Sequence, residues 1–124
     1  MTIAYWCVLA AGLMPFAWTA IAKASGERFN NRAPREWQAR LTGMPARAHA
    51  AHLNSFEAFP LFAAAVIIAQ QLQAPQGTID LLALAFVALR VLYGVLYLAD
   101  QHLLRSIVWA AAFACAVALF IVAA

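Results

Sequence analysis

Two ionisable residues, Glu57 and Arg90, stand inside long apolar runs of the chain. A charged side chain at the centre of a membrane-spanning helix costs roughly 2.5–3.5 kcal/mol on insertion scales, so each needs a partner or a task. Their neighbours repeat at helical spacing. Arg47, Asn54 and Glu57 follow i, i+7, i+10, and Arg90, Tyr93 and Tyr97 follow i, i+3, i+7, which puts each set on one helix face. Arg105 and Ser106 open the last apolar block, level with Tyr97. Together these groups fit a basic, hydrogen-bonding cavity for an anionic ligand. The same spacing fits packing equally well. A buried Glu–Arg pair can fix helix register, tyrosines can mark the membrane interface, and Arg105 can snorkel to headgroups.

The elements that carry these residues follow from composition. Of 124 residues, 66% are apolar and 10% charged, too few polar groups to coat a soluble domain of this size. The apolar residues fall in four blocks, about 2–22, 52–69, 79–99 and 103–124, near the ~20 residues that cross a bilayer core. Backbone in lipid must satisfy its own hydrogen bonds, so such blocks are helices. The expected fold is all-α: a single domain over 1–124, an integral membrane four-helix bundle. Its spans lie at about 2–23, 46–73, 78–99 and 102–123, with a loop at about 24–45. Ala20-Ile21-Ala22 mimics a signal-cleavage site, but no basic residue precedes the run and the run is too long for a signal core. It reads as a first span.

Charge sets the orientation. Lys23, Arg28, Arg32, Arg35, Arg40 and Arg47 outweigh Glu27 and Glu36 around the first connection, while the second, 70–77, has no basic residue. The positive-inside rule makes the first connection cytoplasmic, with both termini on the non-cytoplasmic side. Basic charge beside a membrane points to topology and anionic lipid, and no nucleic acid partner is expected. Pro34 and Gly43 bracket a short helix in this loop. Trp37 and Leu41 share one face, which suggests an interfacial segment with Trp37 at headgroup level, or a lid. Thr78 is expected to cap the third span with Asp80 in its first turn. Pro15 and Pro60 are expected to bend their helices. Cys7, Cys115, His49, His52 and His102 lack disulfide or metal-ligand spacing, so no metal site is expected. Counted from the cytoplasmic ends of their helices, Glu57 and Arg90 lie roughly 14–17 Å deep and level with each other. A direct ion pair between them is expected.

At these residues the chain resembles a known family. The run 47–62, with Asn54, Glu57 and Pro60 as an Asn-x-x-Glu-x-x-Pro core, is similar to the second-helix signature of the MAPEG family, the membrane-associated proteins in eicosanoid and glutathione metabolism. Arg90 with Tyr97 resembles the third-helix pattern. Arg105-Ser106 looks like the Arg-Ser pair that opens the fourth helix of the prostaglandin E synthase branch. The resemblance implies a homotrimer with glutathione as co-substrate between neighbouring subunits, while the small size and the lack of a recognisable targeting element suit a bacterial-type member in the inner membrane. The resemblance also implies that Asn54 and Glu57 contact the tripeptide, that Arg90 supports Glu57, and that Tyr97 takes the family's tyrosine position, with Tyr93 placed beside it by spacing alone. Arg105 would stabilise the thiolate, and Ser106 would hydrogen-bond the sulfur. A guanidinium favours the thiolate, the reactive form, and stays charged when partly buried. Two positions depart from the pattern. Ala50 stands where many glutathione-using members carry an Arg, and Leu53 where some are basic. Loss of one charged clamp costs ~2–5 kcal/mol of affinity, which His49, His52, Arg47 or Lys23 would have to restore.

The leading expectation is a membrane-bound glutathione-dependent transferase or peroxidase acting on lipophilic electrophiles. The alternative is a non-catalytic MAPEG-like binding or structural subunit, which Ala50 favours. A small four-span transporter with Glu57 as its proton-coupling group is a third reading, opposed by the expected Arg90 partner.

Overall fold

The computed structural model describes residues 1–124, all of its regular structure being helix. Four long helices, α1 (Ile3–Ser25), α3 (Gly43–Gln71), α4 (Gln76–Leu98) and α5 (His102–Ala123), form the bundle, and a short α2 (Pro34–Ala39) lies between α1 and α3. Each long helix is long and apolar enough to cross a membrane. α1 packs on α3 and α4, and α5 packs on α4 and α3.

A seven-residue repeat lines the buried seams: Ala4, Ala11 and Trp18 on α1; Ala48, Ser55, Phe62 and Ala69 on α3; Ile79, Phe86 and Tyr93 on α4. That period keeps one stripe facing the neighbouring helices in near-aligned packing. Alanine dominates the central core, so backbones approach closely, and the stacked rings of Phe62 and Phe86 fill its middle, with centroids 3.9 Å apart. Nearer the loop end, the Trp18 indole packs against Gly94, where any Cβ would overlap the ring.

Helices α3 and α4 each stop on a left-handed residue, Gln73 (φ 55) and Asp100 (φ 60). The amides of Ala74 and Gln101 reach back to the Ala69 and Leu96 carbonyls, both at 3.0 Å. This is the geometry in which glycine is preferred, because a side chain there clashes with its own carbonyl. Asp100→Gly is therefore expected to raise the thermal midpoint of the purified protein, by about 1 kcal/mol in stability. An unchanged or lowered midpoint would show that the aspartate side chain compensates for its backbone.

The far ends of the helices depart from the expected capping. α4 begins at Gln76 with no side-chain cap, so Thr78 lies inside the helix and caps nothing. Asp80 serves α1 instead. Its Oδ1 accepts the Ala4 amide at 2.9 Å and the Gln76 side-chain amide at 2.9 Å. Gln76 and Gln70 exchange amide hydrogen bonds, and the Thr2 hydroxyl donates to Gln70 while accepting from the Tyr5 amide. The unpaired N–H groups at the start of α1 draw this carboxylate more strongly than α4's own first turn does.

The loop helix forms as expected with Pro34 in its first turn, but Trp37 is not turned to headgroups. It is 1% exposed, packed with Ala22 and Ala48. Phe29 meets it edge-on, and its Nε1–H donates to the Glu27 carbonyl at 3.2 Å. The bundle end offers both an apolar seat and an acceptor, which satisfies the indole better than an interface does. Gly43 opens α3 at φ +64 rather than closing α2.

Candidate functional site

Arg90 enters the bundle from α4 and is only 3% exposed. Its Nη2 donates to Asn54 Oδ1 at 2.8 Å, and Asn54 Nδ2 donates to Glu57 Oε2 at 3.2 Å. The expected direct Glu57–Arg90 ion pair is thus replaced by a relay, with the Asn54 amide between acid and base. The reason lies in azimuth rather than depth. Asn54 and Glu57 are three residues apart on α3, and Asn54 takes the inner position against α4. Glu57 is left on the exposed side of the bundle.

These three polar residues form one end of a cavity of about 160 Å³ between α3, α4 and α5. Its remaining walls are apolar, chiefly Leu61, Phe86, Trp109 and Phe113. Only one Arg90 donor has a protein acceptor, and the residue forms part of the cavity wall. The guanidinium is therefore an incompletely used anion-binding group in a largely apolar setting.

Toward the loop end a second arrangement continues from Arg90. Its guanidinium lies over the Tyr93 ring at 4.3 Å, Tyr93 meets Tyr97 edge-on at 5.7 Å, and Arg105 from α5 covers the Tyr97 ring at 4.1 Å. An Arg–Tyr–Tyr–Arg ladder thus joins α4 to the start of α5 through cation–π contacts. Spacing places the two tyrosines with Arg90 and puts Arg105 level with Tyr97, but does not indicate the ring-face contact by which Arg105 closes the ladder. Ser106 is not drawn in. It is exposed, and its hydroxyl donates to the His102 carbonyl at 3.0 Å.

The proposed substitutes for the missing clamp at Ala50 have other tasks. Arg47 donates through Nε and Nη2 to the Leu98 carbonyl, capping α4. His52 reaches α1, where its Nδ1 bonds the Pro15 carbonyl at 2.7 Å. Lys23 lies over Phe29 at 4.1 Å. His49 stacks on His52, and its Nδ1 is buried without a partner. No group of three His, Cys, Asp or Glu side chains could hold a metal ion.

The apolar walls are built from residue types that carry no chemistry of their own. Their signal in the sequence is spacing: Trp109 and Phe113 follow Arg105 at i+4 and i+8, on the same helix face.

Comparison with protein families gives a match to the family described as MAPEG over residues 3–124. Comparison with curated proteins and with solved structures gives no match.

Proposed function

Because the chain belongs to the MAPEG family, integral membrane proteins associated with glutathione, we propose that it is a glutathione-dependent transferase or peroxidase for lipophilic electrophiles. The observation that carries this reading is the relay from the buried Arg90 through Asn54 to the exposed Glu57, opening on a cavity with unused guanidinium donors.

The residues suit the tripeptide in kind. Glutathione presents an ammonium, two carboxylates and a thiol. Glu57 offers a carboxylate to the ammonium, and Asn54 and Arg90 fix its position. Arg105, held over Tyr97, offers a persistent positive charge to the sulfur. Ser106 must release the His102 carbonyl before its hydroxyl can donate to that sulfur. Glutathione supplies a nucleophilic thiolate, which adds to an electrophile or reduces a peroxide.

In volume, one chain falls short. Ligand pockets usually measure about 300–1,000 Å³, twice or more the cavity found here. Glu57 also lies on a lateral face that a lone subunit would present to lipid. A neighbouring subunit that covers this face enlarges the enclosure and shields the carboxylate, which supports the homotrimer. The basic loop supports a cytoplasmic position for this end of the bundle.

The test is calorimetric titration of purified protein with glutathione, followed by ultraviolet absorbance of the bound thiolate. Arg105→Ala is expected to keep binding but lose the thiolate band about tenfold, and Glu57→Gln to weaken binding itself. No binding at millimolar glutathione would remove the proposal. The non-catalytic reading gains from Ala50 and from the engagement of Arg47, His52 and Lys23 elsewhere, and it predicts that same absence. The ion pair that opposed a transporter is not present, so family membership is what sets that reading aside.

A further inference from the structure

The connection between α1 and α3 sorts its side chains into two sets. Phe29, Trp37 and Leu41 turn inward and pack on Ala22 and Ala48, near the ends of the helices that the loop joins. No large apolar side chain is exposed between residues 17 and 52, although such side chains cover the lateral faces of the bundle. Arg28, Arg32, Arg35 and Arg40 are the opposite case, all four exposed. Arg35 gives one donor to Gln38 at 3.0 Å, whereas no side chain accepts from Arg28, Arg32 or Arg40. Glu27 and Glu36 are exposed in the same loop and pair with none of them. The connection at the other end of the bundle, 70–77, carries no basic residue.

We infer that this loop is a docking platform for anionic phospholipid headgroups, and that it holds them by charge alone, without inserting apolar side chains into the bilayer. The inference does not rest on the glutathione reading. Three observations carry it. The first is position: the loop joins the ends of two membrane-crossing helices, so its guanidinium groups lie beside the bilayer surface, where lipid phosphates are the nearest acceptors. The second is unused capacity: Arg28, Arg32 and Arg40 keep their donors free, and a phosphodiester accepts such forked donors well. The third is order. Trp37 is 1% exposed and tied to the Glu27 carbonyl, and Phe29 meets it edge-on, so the loop backbone that carries these arginines is fixed before any lipid arrives. With Phe29, Trp37 and Leu41 committed to the bundle, nothing apolar is left to insert, and the attraction must be screened by salt.

Retained lipid gives the test. The full chain is reconstituted in bilayers holding equal amounts of dioleoyl phosphatidylglycerol and dioleoyl phosphatidylcholine, which differ in headgroup charge but not in chains. After extraction in mild detergent, mass spectrometry counts the lipids of each class that stay bound. Wild-type protein is expected to retain the anionic lipid about tenfold over the neutral one at low salt, and to lose most of that preference at about 0.5 M salt. Replacing Arg28, Arg32 and Arg40 together by glutamine is expected to bring the ratio close to one. Glu27→Gln combined with Glu36→Gln is expected to raise it several-fold, and this variant removes no arginine on which folding could depend. A wild-type ratio near one overturns the inference. A preference that survives either the salt or the triple substitution does so too, and an unmoved ratio in the glutamate variant counts the same way. Glycerol phosphate at millimolar concentration separates lipid from free phosphate. It is expected to leave the ratio unchanged, and displacement of phosphatidylglycerol by it shows a soluble-phosphate site and overturns the lipid assignment.

Discussion

With Asn54 replaced by leucine, the protein is expected to lose about 2–3 kcal/mol of stability and to bind glutathione roughly a hundredfold more weakly. Leucine preserves shape but removes the sole protein acceptor of the Arg90 guanidinium, which is 3% exposed. A buried cation without an acceptor retains most of its desolvation cost, and this drives the destabilisation. The same change unties Glu57, whose carboxylate then samples rotamers unsuited to a ligand's ammonium. Arg90→Met is expected to destabilise less, because it removes the charge that required the acceptor. Denaturant unfolding in detergent compares the two variants. If methionine proves the more damaging, the relay is not what stabilises this part of the bundle.

The second large effect is expected at Gly94. Alanine normally favours a helix over glycine by about 1 kcal/mol, yet Gly94→Ala is expected to destabilise by about 1–3 kcal/mol net. The added methyl group falls within the Trp18 indole, and that ring is enclosed by Met14 and Ala51, with Tyr97 and Leu98 beside it. Displacing Trp18 presses on Tyr97, the ring that supports Arg105, so the thiolate signal should weaken as well. Gly12→Ala is the control. Its methyl group would meet the edge of Phe59 at 3.3 Å, and that partly exposed ring can give way. Thermal midpoints of the two variants should therefore move by clearly different amounts, and similar shifts would rule out the Trp18 contact as the cause.

The four-helix architecture was legible because a bilayer leaves an apolar chain few options. Once backbone hydrogen bonds must close locally, long apolar blocks become helices, and short connections make them neighbours. The candidate site was legible in its membership more than in its wiring. Asn54, Glu57 and Arg90 do meet, since helical period and depth are properties of the sequence. Which of Asn54 and Glu57 faces Arg90 depends on helix rotation, which polar spacing leaves free within a few tens of degrees. The Arg105–Tyr97 contact joins two helices through a ring face, and no spacing rule signals that. Trp37 and Asp80 show the other limit. Both carry the marks of local roles, at an interface and in a first turn, and both are taken up by partners distant in sequence. Leu61, Phe86, Trp109 and Phe113 shape the cavity with residue types that also serve any lipid-facing helix, so composition could not single them out.

The carboxylate of Asp80 on the Ala4 amide bears on biogenesis. Ribosomes deliver α1 to the bilayer long before α4, so the first helix enters with its leading amides uncapped by their eventual acceptor. Only when the third span arrives can that end be clasped, together with the Gln70 and Gln76 amides that bracket the intervening turn. The cap at the start of α1 is thus completed only once α4 is in place, after α1 and α3 are both available to pack.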